Sequence, residues 1–120
     1  MRILLLDNYD SFTWNLHHLL EPLGEVTVAR NDGINVDEAA TYDRIVLSPG
    51  PGLPREAGIM PELVRRLMPT HPILGICLGM QAIAEACGGS LYNQASVRHG
   101  VAVRCIPESP TDPFFTGIEA

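Results

Sequence analysis

Four short apolar runs recur along the chain, at Arg2 to Leu6, Val26 to Ala29, Arg44 to Leu47 and Pro72 to Ile76. Runs that do not alternate with polar residues are typical of strands in a parallel sheet covered on both faces. Between them the pattern takes on a helical period. Phe12, Leu16, Leu19 and Leu20 fall at i, i+4, i+7 and i+8, with Asp10 or Ser11 placed to cap the start and Gly24 placed beyond the end. Met60 to Met68 sets Leu63, Val64, Leu67 and Met68 against Arg65 and Arg66 on the other side. Gln81 to Cys87 puts Ile83, Ala84 and Cys87 on one face before Gly88-Gly89 stops the helix.

Strands alternating with helices over short connections predict an α/β domain with a mainly parallel sheet and right-handed crossovers. After Gly89 the pattern changes. Ser90 to Gln94 and Val101 to Ile106 read as strands joined through Val97-Arg98-His99-Gly100, which predicts an antiparallel hairpin at one sheet edge. No repeat, low-complexity tract or linker interrupts the chain, and its length suits one domain with its own core.

Charge and cysteine usage narrow the partners. A formal charge of −6 and a pI near 5.0, with Lys and Arg scattered, give no field to attract a phosphate backbone, so no nucleic acid is expected. No apolar run approaches the ~18–20 residues of a membrane span, and the start is too short and too soon acidic for a signal peptide. A cytoplasmic protein without membrane contact is expected. Cys77, Cys87 and Cys105 are widely spaced and lack C-x-x-C, which fits neither a disulfide framework nor a zinc site. No metal or cofactor is expected, and Cys87 and Cys105 read as small buried apolar side chains.

Cys77 differs from these two because Gly75-Ile76-Cys77-Leu78-Gly79 has the form of a nucleophile elbow between strand and helix. Small flanking residues let the two backbones approach, the thiol meets the helix N-terminus, and the Leu78 N–H can point at a developing oxyanion. The same pattern alone also suits a buried thiol at a strand end, with glycines that serve only packing.

A second segment supports the chemical reading. In Ser48-Pro49-Gly50-Pro51-Gly52-Leu53-Pro54 the prolines stiffen a loop and leave Gly50, Gly52 and Leu53 as its N–H groups. Parallel neighbours bring this loop to the carboxyl edge that holds Cys77, where open α/β sheets bind ligands. N–H groups of Gly52 and Leu78 can then form an oxyanion hole. Gln81, one helical turn beyond Cys77, can face the same pocket or simply lie on the helix surface. The first turn, Asp7 to Trp14, opens on that edge too, with aromatics fit for a pocket or a partner interface.

With these residues in hand, the sequence resembles the class I glutamine amidotransferases, specifically the small glutaminase subunit of anthranilate synthase and aminodeoxychorismate synthase. The resemblance rests on Leu6-Asp7-Asn8-Tyr9-Asp10-Ser11-Phe12, Leu47-Ser48-Pro49-Gly50-Pro51-Gly52, Gly75-Ile76-Cys77-Leu78-Gly79-Met80-Gln81 and His99-Gly100, in the family's order. It implies a three-layer α/β/α, flavodoxin-like fold. It also implies attack by Cys77 on the side-chain amide of L-glutamine, with oxyanion N–H groups from Gly52 and Leu78, and with Gly50, Pro51, Gly52 and Gln81 lining the glutamine site. The partner implied is a chorismate-binding synthase subunit, component I of either synthase, which receives the ammonia. In that family the segment from Asp7 to Phe12 and the loop from Ser48 to Pro54 face this subunit.

The resemblance also implies a base. In the family a His-x-Glu element well downstream of the cysteine completes the triad, and none of His17, His18, His71 and His99 is followed two residues later by Glu. The chain is therefore expected to be a single amidotransferase domain over 1–120 that lacks the family's C-terminal third and is inactive by itself. Two other readings stay open: a triad-deficient domain that binds glutamine or the synthase subunit without turnover, and another thiol hydrolase with a G-x-C-x-G elbow.

Overall fold

A computed structural model of the chain describes residues 1–91. It contains a sheet of four parallel strands, β1 (Arg2–Asp7), β2 (Glu25–Arg30), β3 (Arg44–Leu47) and β4 (Ile73–Gly75), in the order β2-β1-β3-β4. Every strand foreseen from the four apolar runs is present. The helices are α1 (Thr13–Leu20), α2 (Val36–Ala39), α3 (Met60–Leu67) and α4 (Leu78–Ala86). The predicted edge hairpin and Cys105 lie outside the described residues.

Strand alternation sorts the core into two layers. Leu4, Leu6, Ile45 and Leu47 face α2, α3 and α4, and pack with Val36, Ala39, Met60, Leu63, Val64, Leu67, Leu78 and Ala82. Ile3, Leu5 and Val46 face the opposite way, against Leu16 and Leu20 of α1. The result is a three-layer α/β/α sandwich. Each fully buried leucine contributes about 1.5–3 kcal/mol over its exposed state, so the sheet centre, where Leu4, Leu5, Leu6 and Leu47 are 0% exposed, dominates the fold's stability.

Four sequence expectations shift. Neither Asp10 nor Ser11 caps α1: the N-cap position is Phe12, and the Asp10 carboxylate accepts from the Phe12 N–H (2.9 Å), one residue ahead of the helix. The inward face of α1 runs through Thr13, Leu16 and Leu20, while Phe12 and Leu19 are exposed, because Thr13 is drawn in by its hydroxyl bond to the Asp7 carboxylate (2.6 Å). In α4 the buried stripe is Leu78, Gly79 and Ala82, so the helix begins three residues before Gln81, and both Ala84 and Cys87 are exposed. Cys87 is thus not a buried apolar side chain. It follows the last turn of α4, past the stripe that faces the sheet. Met68, likewise, is the C-cap residue of α3 and partly exposed.

Helix α2 was not foreseen. Asn35 accepts from the Glu38 N–H (2.7 Å) while the Glu38 carboxylate reaches back to the Asn35 N–H (3.4 Å), a capping box around a helix of a single turn. A helix that short shows no period, so the Asn-x-x-Glu spacing was its one sequence signal.

Candidate active site

The strand register aligns the functional segments. Leu6 pairs with Leu47, and Leu47 with Gly75, so Asn8, Pro49 and Cys77 each stand two residues beyond one line across the sheet's carboxyl edge. Two further bonds, Ser48 N–H to the Leu6 carbonyl (3.1 Å) and Ile76 N–H to the Leu47 carbonyl (3.0 Å), continue the ladder to that edge.

Cys77 stands at the N-cap position of α4 with φ 51 and ψ −106, a left-handed backbone that costs a non-glycine residue roughly 1–3 kcal/mol. Packing around it enforces the strain. A methyl on Gly75 would stand 2.5 Å from the Gly79 carbonyl carbon, and one on Gly79 would stand 2.5 Å from the Leu47 Cβ. Strand β4 therefore lies against the first turn of α4, and that turn lies against β3. Any side chain at either glycine would push the elbow open. Cys77 is exposed rather than buried at the strand end.

The 48–54 loop comes up to the same turn. A methyl on Gly50 would meet the Asn8 Cβ and carbonyl oxygen at 2.6 Å and Leu78 Cδ2 at 3.1 Å, so Gly50 is wedged between the first turn and the elbow. Gly52 follows at φ +75, a conformation that favours glycine. Neither the Gly52 N–H nor the Leu78 N–H meets a hydrogen-bond acceptor among the described residues. The Leu53 N–H, expected to be available, instead donates to the Glu56 carboxylate (2.8 Å). Glu56 was not singled out from sequence, although its place three residues after Leu53, with Pro54 opening a 3-10 turn, is a capping signature.

Gln81 is half-buried one turn into α4, its N–H bonded to the Cys77 carbonyl (3.0 Å), which puts it on the Cys77 side of the helix. Pro51 is exposed on the loop. Gly50, Pro51, Gly52, Cys77, Leu78 and Gln81 thus all lie on the loop and elbow that meet at the Gly50–Leu78 contact. A concavity of about 370 Å³ beside this loop is lined by Asn8, Tyr9, Asn31, Asp32, Pro51 and Glu56 among others, without Cys77.

The described histidines lie elsewhere. His17 and His18 are on the last turn of α1 beside Glu21, with Nδ1–Oε1 distances of 3.0 and 3.7 Å, the former not aligned as a hydrogen bond. His71 bonds the Ala40 carbonyl (2.9 Å) and the Thr70 hydroxyl (2.8 Å) before the start of β4. That is six residues from Cys77, roughly 20 Å along extended chain. His99 lies outside the described residues.

The first turn is held by polar contacts that sequence did not reveal. Tyr9, at φ 61, donates its hydroxyl to the Asp32 carboxylate (2.6 Å), and the Arg30 guanidinium covers its ring at 4.7 Å. The bond to Asp32, then desolvation and the nearby carboxylate charge, raise the Tyr9 phenol above its ordinary range; Arg30 acts the other way. On the loops and first helical turns that leave the sheet's carboxyl edge, Tyr9, Phe12, Trp14, Leu53 and Met80 are 40–60% exposed.

Comparison with known proteins agrees with this geometry. The family model described as Glutamine amidotransferase class-I matches residues 4–119. Aminodeoxychorismate synthase component 2 of Escherichia coli is 50% identical over 101 residues, covering 82% of this chain and 54% of the relative. Anthranilate synthase component 2 of Thermus thermophilus is 50% identical over 103 residues, covering 83% and 50%. A Thermoplasma acidophilum crystal structure, described as a GMP synthase component, superposes with a TM-score of 0.62 at 32% identity, covering 75% of this chain and 46% of that one. The chain spans about half the length of the curated relatives it matches.

Proposed function

Because the chain belongs to the class I glutamine amidotransferase family, we propose that it carries the nucleophile half of a glutaminase subunit. This subunit hydrolyses L-glutamine and passes the ammonia to a chorismate-binding synthase subunit, component I of anthranilate or aminodeoxychorismate synthase, in tryptophan or folate biosynthesis. The observation that carries the reading is the meeting of the Gly50–Gly52 segment with the strained Cys77–Leu78 elbow.

In this reaction the Cys77 sulfur attacks the side-chain amide carbon of glutamine, and the carbonyl π pair moves to oxygen. Gly52 and Leu78 N–H groups receive that oxyanion, the kind of interaction whose loss costs about 10²–10³ in kcat. Gly50, Pro51 and Gln81 line the amino-acid tail's side of the site. The thiol proton reaches the departing nitrogen through a base, ammonia leaves, and a γ-glutamyl thioester remains. Water then cleaves the thioester to glutamate and restores the thiol. His17, His18 and His71 stand on other elements or at the far strand end, so the reading takes its base from a His-x-Glu element later in sequence. The exposed Tyr9, Phe12, Trp14 and Leu53 support a synthase interface at the same edge, which would shorten the ammonia's path.

A second reading, a domain that binds glutamine or the synthase without turnover, draws support from the placement of the described histidines, on the last turn of α1 and ahead of β4, away from the elbow. One assay separates the two. The full-length gene product is paired with each synthase subunit, and product formation from chorismate is followed with glutamine or with ammonium. Cys77→Ala is expected to abolish the glutamine-dependent reaction and spare the ammonium-dependent one. A wild type with no glutamine-dependent product favours the binding reading, and undiminished activity in the variant removes Cys77 as nucleophile.

A further inference from the structure

The 48–54 loop has little backbone support of its own, because Pro49, Pro51 and Pro54 cannot donate. Its entrance is tied to the sheet edge by the Ser48 N–H bond to the Leu6 carbonyl and, beyond that ladder, by one residue of the first turn. Asn8, 2% exposed, donates its backbone N–H to the Ser48 hydroxyl (2.9 Å) and its side-chain Nδ2 to the Ser48 carbonyl (2.8 Å). Nδ2 also lies 3.2 Å from Met60 Sδ, and Oδ1 accepts from Asn31 Nδ2 (3.0 Å). The Ser48 hydroxyl in turn donates to the Pro49 carbonyl (2.7 Å). Beyond these bonds, the Asn8 Cβ and carbonyl fill the space that a Gly50 side chain would need.

We infer that Asn8 is a positioning residue for the oxyanion site: its amide fixes the height of Ser48 at the sheet edge and, through Gly50, the placement of Gly52 N–H against Leu78 N–H. The inference rests on the proposed glutaminase chemistry. The two faces of the amide have fixed roles, since Nδ2 must face a carbonyl and Oδ1 must face the Asn31 donor. An aspartate would have nearly the same shape but would present an acceptor to the Ser48 carbonyl. A buried, charged acceptor opposed to a carbonyl has no favourable arrangement there. The loop would then lift from the edge, and the transition state would lose alignment with Gly52 while glutamine's tail could still bind.

The test uses the full-length protein in complex with its synthase partner, comparing wild type, Asn8→Asp, Asn31→Ala and Cys77→Ala. Expected for Asn8→Asp is a fall in glutamine-dependent kcat of roughly tenfold to a hundredfold, smaller than loss of a whole oxyanion donor, with KM for glutamine within about threefold. Ammonium-dependent synthesis, which belongs to the synthase subunit, stays at the wild-type rate, while co-purification with that subunit and a thermal midpoint within a few degrees of wild type report that the variant is folded. Asn31→Ala, which removes only the partner of Oδ1, shifts kcat in the same direction by about threefold to tenfold, and keeps the inference open to refutation if Asn8→Asp does not fold. Wild-type kcat in both variants overturns the inference, as does a loss expressed in KM alone. Failure of the underlying reading looks different: wild type and Cys77→Ala would then share the same glutamine-dependent rate.

Discussion

Gly79 and Leu47 are packed so closely that a methyl on the glycine would stand 2.5 Å from the leucine Cβ and 2.7 Å from its carbonyl oxygen. The helix that follows Cys77 thus rests directly on the strand that leads into the 48–54 loop. Gly79→Ala must move one of them, and neither β3, central in the sheet, nor the backbone carbonyl gives way cheaply. Expected is a destabilisation of about 1–3 kcal/mol, typical of overpacking, read as a lower urea midpoint at unchanged slope. Gly33→Ala is the control. Its methyl would meet its nearest neighbour at 3.6 Å, and it should shift stability by less than about 0.5 kcal/mol.

Asn35 and Glu38 close a capping box over α2, a helix of one turn that nonetheless buries Val36 and Ala39 in the main core. A helix so short has almost no propagation energy, so its cap carries a large share of its stability. Asn35→Ala should cost about 1 kcal/mol in chemical denaturation, whereas Asn35→Asp, which keeps the acceptor for the Glu38 N–H, should cost little. Equal loss in both would mean that the box does not hold α2.

Glu56 pins the exit of the loop as Asn8 pins its entrance: its carboxylate accepts from the Leu53 N–H at 2.8 Å and lies under Gly52, 2.9 Å from where a side chain would begin. Under the proposed chemistry, Glu56→Ala releases the residue next to the oxyanion donor. Glutamine-dependent kcat/KM should fall about tenfold, an amount equal to roughly 1.4 kcal/mol of lost transition-state stabilisation. Glu56→Gln retains an accepting oxygen and should stay within about threefold of wild type. Because Glu56 is exposed, neither change should move the thermal midpoint much, and a large drop in both activity and midpoint would point to a folding role instead.

Much of this architecture is legible in sequence, for a physical reason. Strands covered on both faces must be apolar throughout, so Arg2 to Leu6 and Arg44 to Leu47 announce themselves, and the elbow announces itself because only small residues allow Gly75 and Gly79 their contacts. Boundaries set by tertiary contact do not. Leu78 and Gly79 belong to α4 because they face β3, which no local period reveals, and Leu19 looks apolar-face but is 72% exposed because α1 is turned about Thr13. The site divides in the same way. Cys77 and the Gly-Pro loop carry local signatures, whereas the Asn8–Ser48 bonds join residues 40 apart in sequence and depend on strand register.

Tyr9 offers a titration that reports on the first turn directly. Its phenol donates to Asp32, so ionisation would set a phenolate against a carboxylate; this raises the Tyr9 pKa above the ordinary 10.0, chiefly through the hydrogen bond. A group whose folded pKa is raised contributes stability that is fully present below the unfolded value and disappears as pH rises through the folded one. The contribution of this contact should therefore hold up to about pH 10 and fade above it. Absorbance at the phenolate band, taken as wild type minus Tyr9→Phe, should show a midpoint above that of a free tyrosine. In Asp32→Asn, measured against its own Tyr9→Phe counterpart, the midpoint should move back down, because the carboxylate acceptor and its charge are gone while Arg30 still covers the ring. Arg30→Gln should move it further up, since the guanidinium favours the phenolate. Identical midpoints in all three backgrounds would show that Tyr9 does not engage Asp32 in solution, and the first turn would then lack the clasp that holds Tyr9 in its left-handed conformation.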